Sequence, residues 1–140
     1  MHTPNLTGVW KLIRGESDFG FLPPPRFRQD TIVHDAPQIH ITTHQIDANG
    51  DNTAERNLTL GADPAEILIL GKPRLISARH DGDAVIVETR STVSGTARLI
   101  EDRWTLVAGS LTITRTHHQP GGPVHQTLRF RSVGTTGQPI

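Results

Sequence analysis

The stretch Leu6-Thr7-Gly8-Val9-Trp10-Lys11-Leu12 decides how this chain is read. Its residue types suit an extended backbone, and Trp10 falls in phase with Leu12, so both side chains are expected on the inner face of a strand. Gly8 removes a side chain where another segment can approach closely. Trp10 reads either as a plug of a core or as a ligand contact.

Outward from that strand, the chain alternates between short β-type runs and turn signals. The first strand is expected over residues 6–14, and residues 15–25 then hold Phe19, Phe21 and Leu22 next to Pro23-Pro24-Pro25, which forces an extended, hydrogen-bond-poor loop. Those apolar loop residues either cap the end of a core or form a lid over a cavity. Residues 26–34 resume as a strand with Phe27, Thr31 and Val33 in one phase. In 38–46, Ile39 and Ile41 share one face while His40, Thr42 and His44 share the other. A turn at 47–51 leads to a hairpin partner that sets Arg56, Leu58 and Leu60 in phase. Glu66 to Leu70 is an apolar run short enough for a strand buried on both faces. Asp81-Gly82-Asp83 marks a hairpin between 74–80 and 84–91. Runs 96–101 and 103–107 follow, then 111–117 and, after Pro120-Gly121-Gly122-Pro123, 124–131. Only 63–67 offers a turn of helix. The even spacing predicts an all-β protein, an antiparallel up-and-down barrel or sandwich of about eight to ten strands.

Composition fits one domain over 1–140, with the barrel over 6–131 and a flexible Gly/Thr/Pro-rich tail over 132–140. Fourteen basic and fourteen acidic residues cancel, so no basic field calls for nucleic acid or an anionic membrane. Without cysteine, disulfides and thiolate chemistry are excluded. No window approaches the ~20 apolar residues of a helical membrane span, and residues 1–5 lack a signal-peptide pattern. Cytoplasmic localisation is the expectation.

Gly8-Val9-Trp10 resembles the Gly-x-Trp signature of the calycin superfamily, the lipocalins and fatty-acid-binding proteins. With Lys11-Leu12, Glu16-Ser17-Asp18-Phe19, Pro23-Pro24-Pro25, Asp81 to Thr89 and Asp102-Arg103-Trp104-Thr105-Leu106, it is similar to short, uncharacterised bacterial lipocalin-like proteins. The resemblance spans about residues 6–131. It implies a closed lipocalin-like meander barrel with a cavity open at one end and the first loop across the mouth. It also implies a late arginine over the first tryptophan. Arg129 and Arg131 are the nearest matches but lie out of phase with Leu128 and Phe130, which leaves Arg115 or Arg103 to serve.

Polar residues in phase with the core carry the functional reading. Arg115 and His117 follow Leu111 and Ile113, Gln126 precedes Leu128 and Phe130, and Arg56 precedes Leu58 and Leu60. Either these strand ends pass a rim and are solvated, or inward arginines beside a histidine receive a small anion. Among the eight histidines, His40 and His44 lie ~13 Å apart along a strand and cannot share a metal. His118 and His125 would face each other across a Gly121-Gly122 turn, short of a third ligand. Neither a protein metal site nor a cofactor is expected. Glu88 reads as one member of a structural ion pair.

Three functions are consistent with these residues. The first is binding of a small, partly apolar and possibly anionic molecule in a cavity of ~300 Å3 or more. Trp104, Leu106, Leu111, Ile113 and Leu128 would line it, Phe19 and Phe21 would form the lid, and Arg56, Arg115 and His117 the rim. The second is a β-barrel enzyme, an isomerase, cyclase, lyase or hydrolase, with His117 or a carboxylate as base and Arg115 and Arg56 stabilising negative charge. The third is a structural barrel without ligand, dimerising through 66–70. A monomer or homodimer fits each of them.

Overall fold

In the computed structural model, which describes residues 5–20 and 22–134, the chain is all-β. Its ten strands are β1 (Gly8–Leu12), β2 (Phe27–Asp35), β3 (Gln38–Asp47), β4 (Gly50–Thr59), β5 (Ala65–Ile69), β6 (Lys72–Asp81), β7 (Ala84–Val93), β8 (Thr96–Val107), β9 (Ser110–His118) and β10 (Val124–Gly134). Each pairs antiparallel with its neighbour in sequence, except that β1 pairs with β10 and β4 does not pair with β5. The result is a nearly closed barrel with its seam between β4 and β5. Among the described residues, that seam is crossed by a parallel bridge from Leu60 to Ala78 and the backbone bond from Gly61 N to Ala78 O at 2.8 Å.

The closed end is a solid core. Trp104, Phe130, Leu111, Ile113, Ile32 and Leu6 are fully buried, and Trp10 and Leu12 point inward beside them. The Trp10 indole folds back over Gly8 and donates from Nε1 to Leu6 O at 2.9 Å. A Cβ on Gly8 would lie 3.3 Å from that nitrogen, and Gly8 adopts φ +154. Both the backbone at Gly8 and the nearby indole therefore favour glycine two residues before the tryptophan.

Two-residue turns join β5–β6, β7–β8 and β8–β9, where Leu70-Gly71, Ser94-Gly95 and Ala108-Gly109 all hold positive φ. Paired positive φ values match the right-handed twist of the flanking strands.

Several expectations are corrected. Residues 96–101 and 103–107 form one strand, β8, because Asp102 stays in the ladder opposite Val87 and Arg115. No helix forms at 63–67, and β5 is not buried on both faces: Leu68 is 66% exposed on an edge strand beside the seam. In β2 the buried phase is Arg28, Asp30, Ile32 and His34, while Val33 faces out. The β9–β10 turn is longer than two residues. His117 thus pairs with Val124 and His125 with Thr116, while His118 lies 3.5 Å from Glu101. Ser132 still pairs with Trp10, so β10 runs into the segment read as tail.

Candidate functional site

Above the apolar core, the same inward phase turns charged. On β2, residues two apart share a face, so Arg28 reaches Asp30 with Nε to Oδ1 at 3.1 Å and Nη2 to Oδ2 at 3.0 Å. Across the barrel Asp102 on β8 lies opposite Arg115 on β9, joined by two bonds of 2.8 and 3.0 Å. Arg28, Asp30 and Asp102 are all buried. Arg56 on β4 enters between these pairs, its guanidinium carbon 5.8 Å from the Trp104 ring centroid, while Arg28 stacks 5.4 Å from Phe130. Among the described residues Arg56 has no carboxylate within ion-pair distance. Three inward guanidinium groups thus face two carboxylates.

Burial alone would raise the Asp102 carboxyl, but the charge and bidentate bond of Arg115, aided by Arg56 and Arg28, hold it below the usual carboxylate range. Burial pulls Arg115 down, and Asp102 more than restores it. Burial dominates at Arg56, which falls below the ordinary arginine value although Asp30 and Asp102 favour its charge. Asp102 is therefore an ionised counter-charge with both oxygens occupied, a poor general base.

The loop between β1 and β2 lies across this end. Asp18 and Thr127 exchange backbone bonds of 2.7 and 2.8 Å, and Gln126 Nε2 donates to Phe19 O at 3.0 Å. With its amide nitrogen so engaged, Gln126 presents Oε1 to His117 Nε2 at 2.9 Å. His117 Nε2 therefore carries the proton, which leaves Nδ1 as an acceptor. Beneath the loop is a cavity of about 180 Å3. Arg28, Arg115, His117 and Gln126 form its polar wall, and Leu12, Leu128, Phe19 and Leu22 its apolar one.

Of the residues expected at the site, Phe19, Arg115, His117 and Leu128 border this cavity. Trp104, Leu111 and Ile113 do not: they are fully buried in the packed core, and Leu106 is over a third exposed at the far end of β8. Arg56 lies deeper, on Trp104. Phe21 lies outside the described residues. No arginine stacks on Trp10 among the described residues. Arg129 and Arg131 face outward, Arg103 pairs with Asp81 at 2.7 Å, and Arg115 with Asp102. Glu88 is indeed paired, 3.6 Å from Arg79 and 4.0 Å from Arg90.

Sequence reading missed Arg28, Asp30 and Asp102. The phase of Asp102 with Trp104 was available as a signal, and so was that of Arg28 and Asp30 with Ile32. Among the described residues, no group of three His, Asp or Glu could hold a metal ion, and no helix is long and apolar enough to cross a membrane.

Solved structures share the fold. A zebrafish ileal bile acid-binding protein complexed with cholic acid matches at TM-score 0.65 and 14% identity, over 91% of this chain and 98% of that one. The fold is calycin-like. An abundant heat soluble (SAHS) protein from Ramazzottius varieornatus matches this calycin-like barrel at TM-score 0.72 and 12% identity, covering 92% and 96% of the two chains. Echinococcus granulosus fatty-acid-binding protein 1 does so at TM-score 0.67 and 10% identity, covering 92% and 98%. No protein-family model matches the sequence, and comparison with curated proteins finds no match.

Proposed function

We propose that the barrel binds a small, partly apolar molecule with an anionic group, which enters beneath the β1–β2 loop, past His117, and places its charge toward Arg56 and Arg115. The observation that carries this reading is the surplus inward cation: three inward arginines, Arg28 buried and Arg56 and Arg115 partly buried, against two buried aspartates. A desolvated guanidinium without a full counter-charge attracts an anion. Bile acids and fatty acids, named for two of the structural neighbours, are apolar bodies with one carboxylate and illustrate the ligand class. The cavity of about 180 Å3 is smaller than such a body. Phe19 and Leu22 therefore move aside when the apolar part enters, and they remain in contact with it.

The test is competition for an apolar fluorescent probe by dodecanoate and by dodecanol. Wild-type protein should prefer the carboxylate, and Arg56→Gln should cut that preference about tenfold, the loss of one charge-assisted contact. Equal affinity for acid and alcohol, or no change in R56Q, refutes the reading.

A further inference from the structure

A second group of inward arginines stands at the rim, in a cavity that shares only His117 with the one beneath the β1–β2 loop. On β6, Arg74 lies in the inward phase of Ile76; on β7, Ser91 lies in that of Thr89; on β8, Arg98 lies in that of Ile100. The ladders set Thr89 between Ile76 and Ile100 and pair Ser91 with Arg98, so the three polar residues form the next row toward the mouth. They border a common cavity of about 330 Å3, with Thr89 and His118 beside them. Neither arginine has a carboxylate within ion-pair distance among the described residues. Arg74 Nη1 turns back to Pro73 O at 2.9 Å, and Arg98 Nη1 bonds the neutral Gln119 Oε1 at 3.0 Å. Arg98 Nε is buried and has no hydrogen-bond partner. Glu101, the nearest acid in the β8 sequence, faces outward toward His118.

We infer that Arg74, Ser91 and Arg98 form a receptor for a phosphate group, held between two guanidinium forks with the serine hydroxyl bonding a third oxygen. Two planar donors on alternate strands, with a hydroxyl between them, suit an anion with several oxygens spread in three dimensions. The free Nε of Arg98 is a donor that such an oxygen would satisfy. A free phosphate and the headgroup of an alkyl phosphate present the same chemistry. The width of the cavity and the apolar Leu99 and Ile100 in its wall leave room for either.

Titration calorimetry at low salt with inorganic phosphate and with hexyl phosphate tests the assignment. The wild-type protein should bind one phosphate per chain saturably, and Arg74→Gln and Arg98→Gln should each weaken it about tenfold. Arg98→Lys should recover part of the loss. Tighter binding of hexyl phosphate identifies a headgroup site, and equal or tighter binding of inorganic phosphate a free-anion site; both uphold the receptor. The R74Q/R98Q double variant should keep the preference for dodecanoate over dodecanol, so failure of the interior site and failure of this one are distinguishable. Absence of saturable binding overturns the inference. So does binding that the folded R74Q/R98Q double variant retains, or that depends on Arg56 instead.

Discussion

At the level of single residues, the interior charges define what can be changed. Asp102→Asn leaves Arg115 without its partner and removes a counter-charge that Arg56 also uses. Urea unfolding should show a loss of about 3–5 kcal/mol, most of it recovered when Arg115→Met is added, since breaking a buried pair costs more than replacing it. His34 gives a pH dependence. Its Nδ1 accepts the Leu6 amide at 3.1 Å, so Nε2 holds the proton, and the ring stacks on His80 at 6.1 Å. Burial, and then the charge of His80, lowers its pKa below 6.5. The unfolded chain therefore takes up the proton more readily. This contribution to stability is complete above the unfolded value and is lost as pH falls through the lower folded one. The melting temperature should drop between about pH 7 and 5, and His34→Asn, which keeps an acceptor near Leu6 but does not titrate, should flatten that part of the curve. The inward phase of Arg56, Arg115, His117 and Gln126 was legible in the sequence because each continues the phase of apolar residues on its own strand: Leu58, Leu111 with Ile113, and Leu128. Arg28 and Asp30 were not, since Phe27, Thr31 and Val33 made the opposite phase of β2 look like the core side.

For the strands and turns, what matters is how each connection treats its backbone. Leu70, Ser94 and Ala108 hold φ values of 50, 52 and 51, in a region that costs an L-residue roughly 1–2 kcal/mol unless a short polar side chain relieves it. Ala108→Asn should therefore raise stability by about 0.5–1 kcal/mol in thermal or urea unfolding, with the β8–β9 register unchanged. Gly8→Ala runs the other way, by about 1–3 kcal/mol, because both φ and the indole of Trp10 oppose a side chain there. The hairpins at 81–83, 94–95 and 108–109 were legible from their turn residues alone. The mistaken reading of Glu66 to Leu70 as doubly buried has a physical cause. An apolar run looks the same on an edge strand as in a sheet interior, and only the missing β4–β5 ladder distinguishes them. Amides of β5 should exchange with solvent faster than those of β8, which is hydrogen-bonded on both edges.

Over the whole molecule, the formal charge cancels across the full sequence but not inside the barrel, and that imbalance could not be read from composition. It depends on which phase each strand turns inward, and so on the ladders that the whole chain forms. The closure of β1 on β10 is likewise a property of the assembled sheet, the one ladder between strands far apart in sequence. It has a consequence for chain connectivity. Val9 and Gly134 are ladder partners, whereas the crossing at 60–64 carries the chain over a gap that no ladder spans. A circularly permuted gene that joins Gly134 to Asn5 through a short linker and opens between Gly61 and Pro64 would begin on β5 and finish on β4, with every ladder retained. The covalent break would then coincide with the hydrogen-bonding break, and such a permutant should fold to the same circular-dichroism spectrum. A cut placed in the β8–β9 turn instead would separate strands at the heart of the sheet.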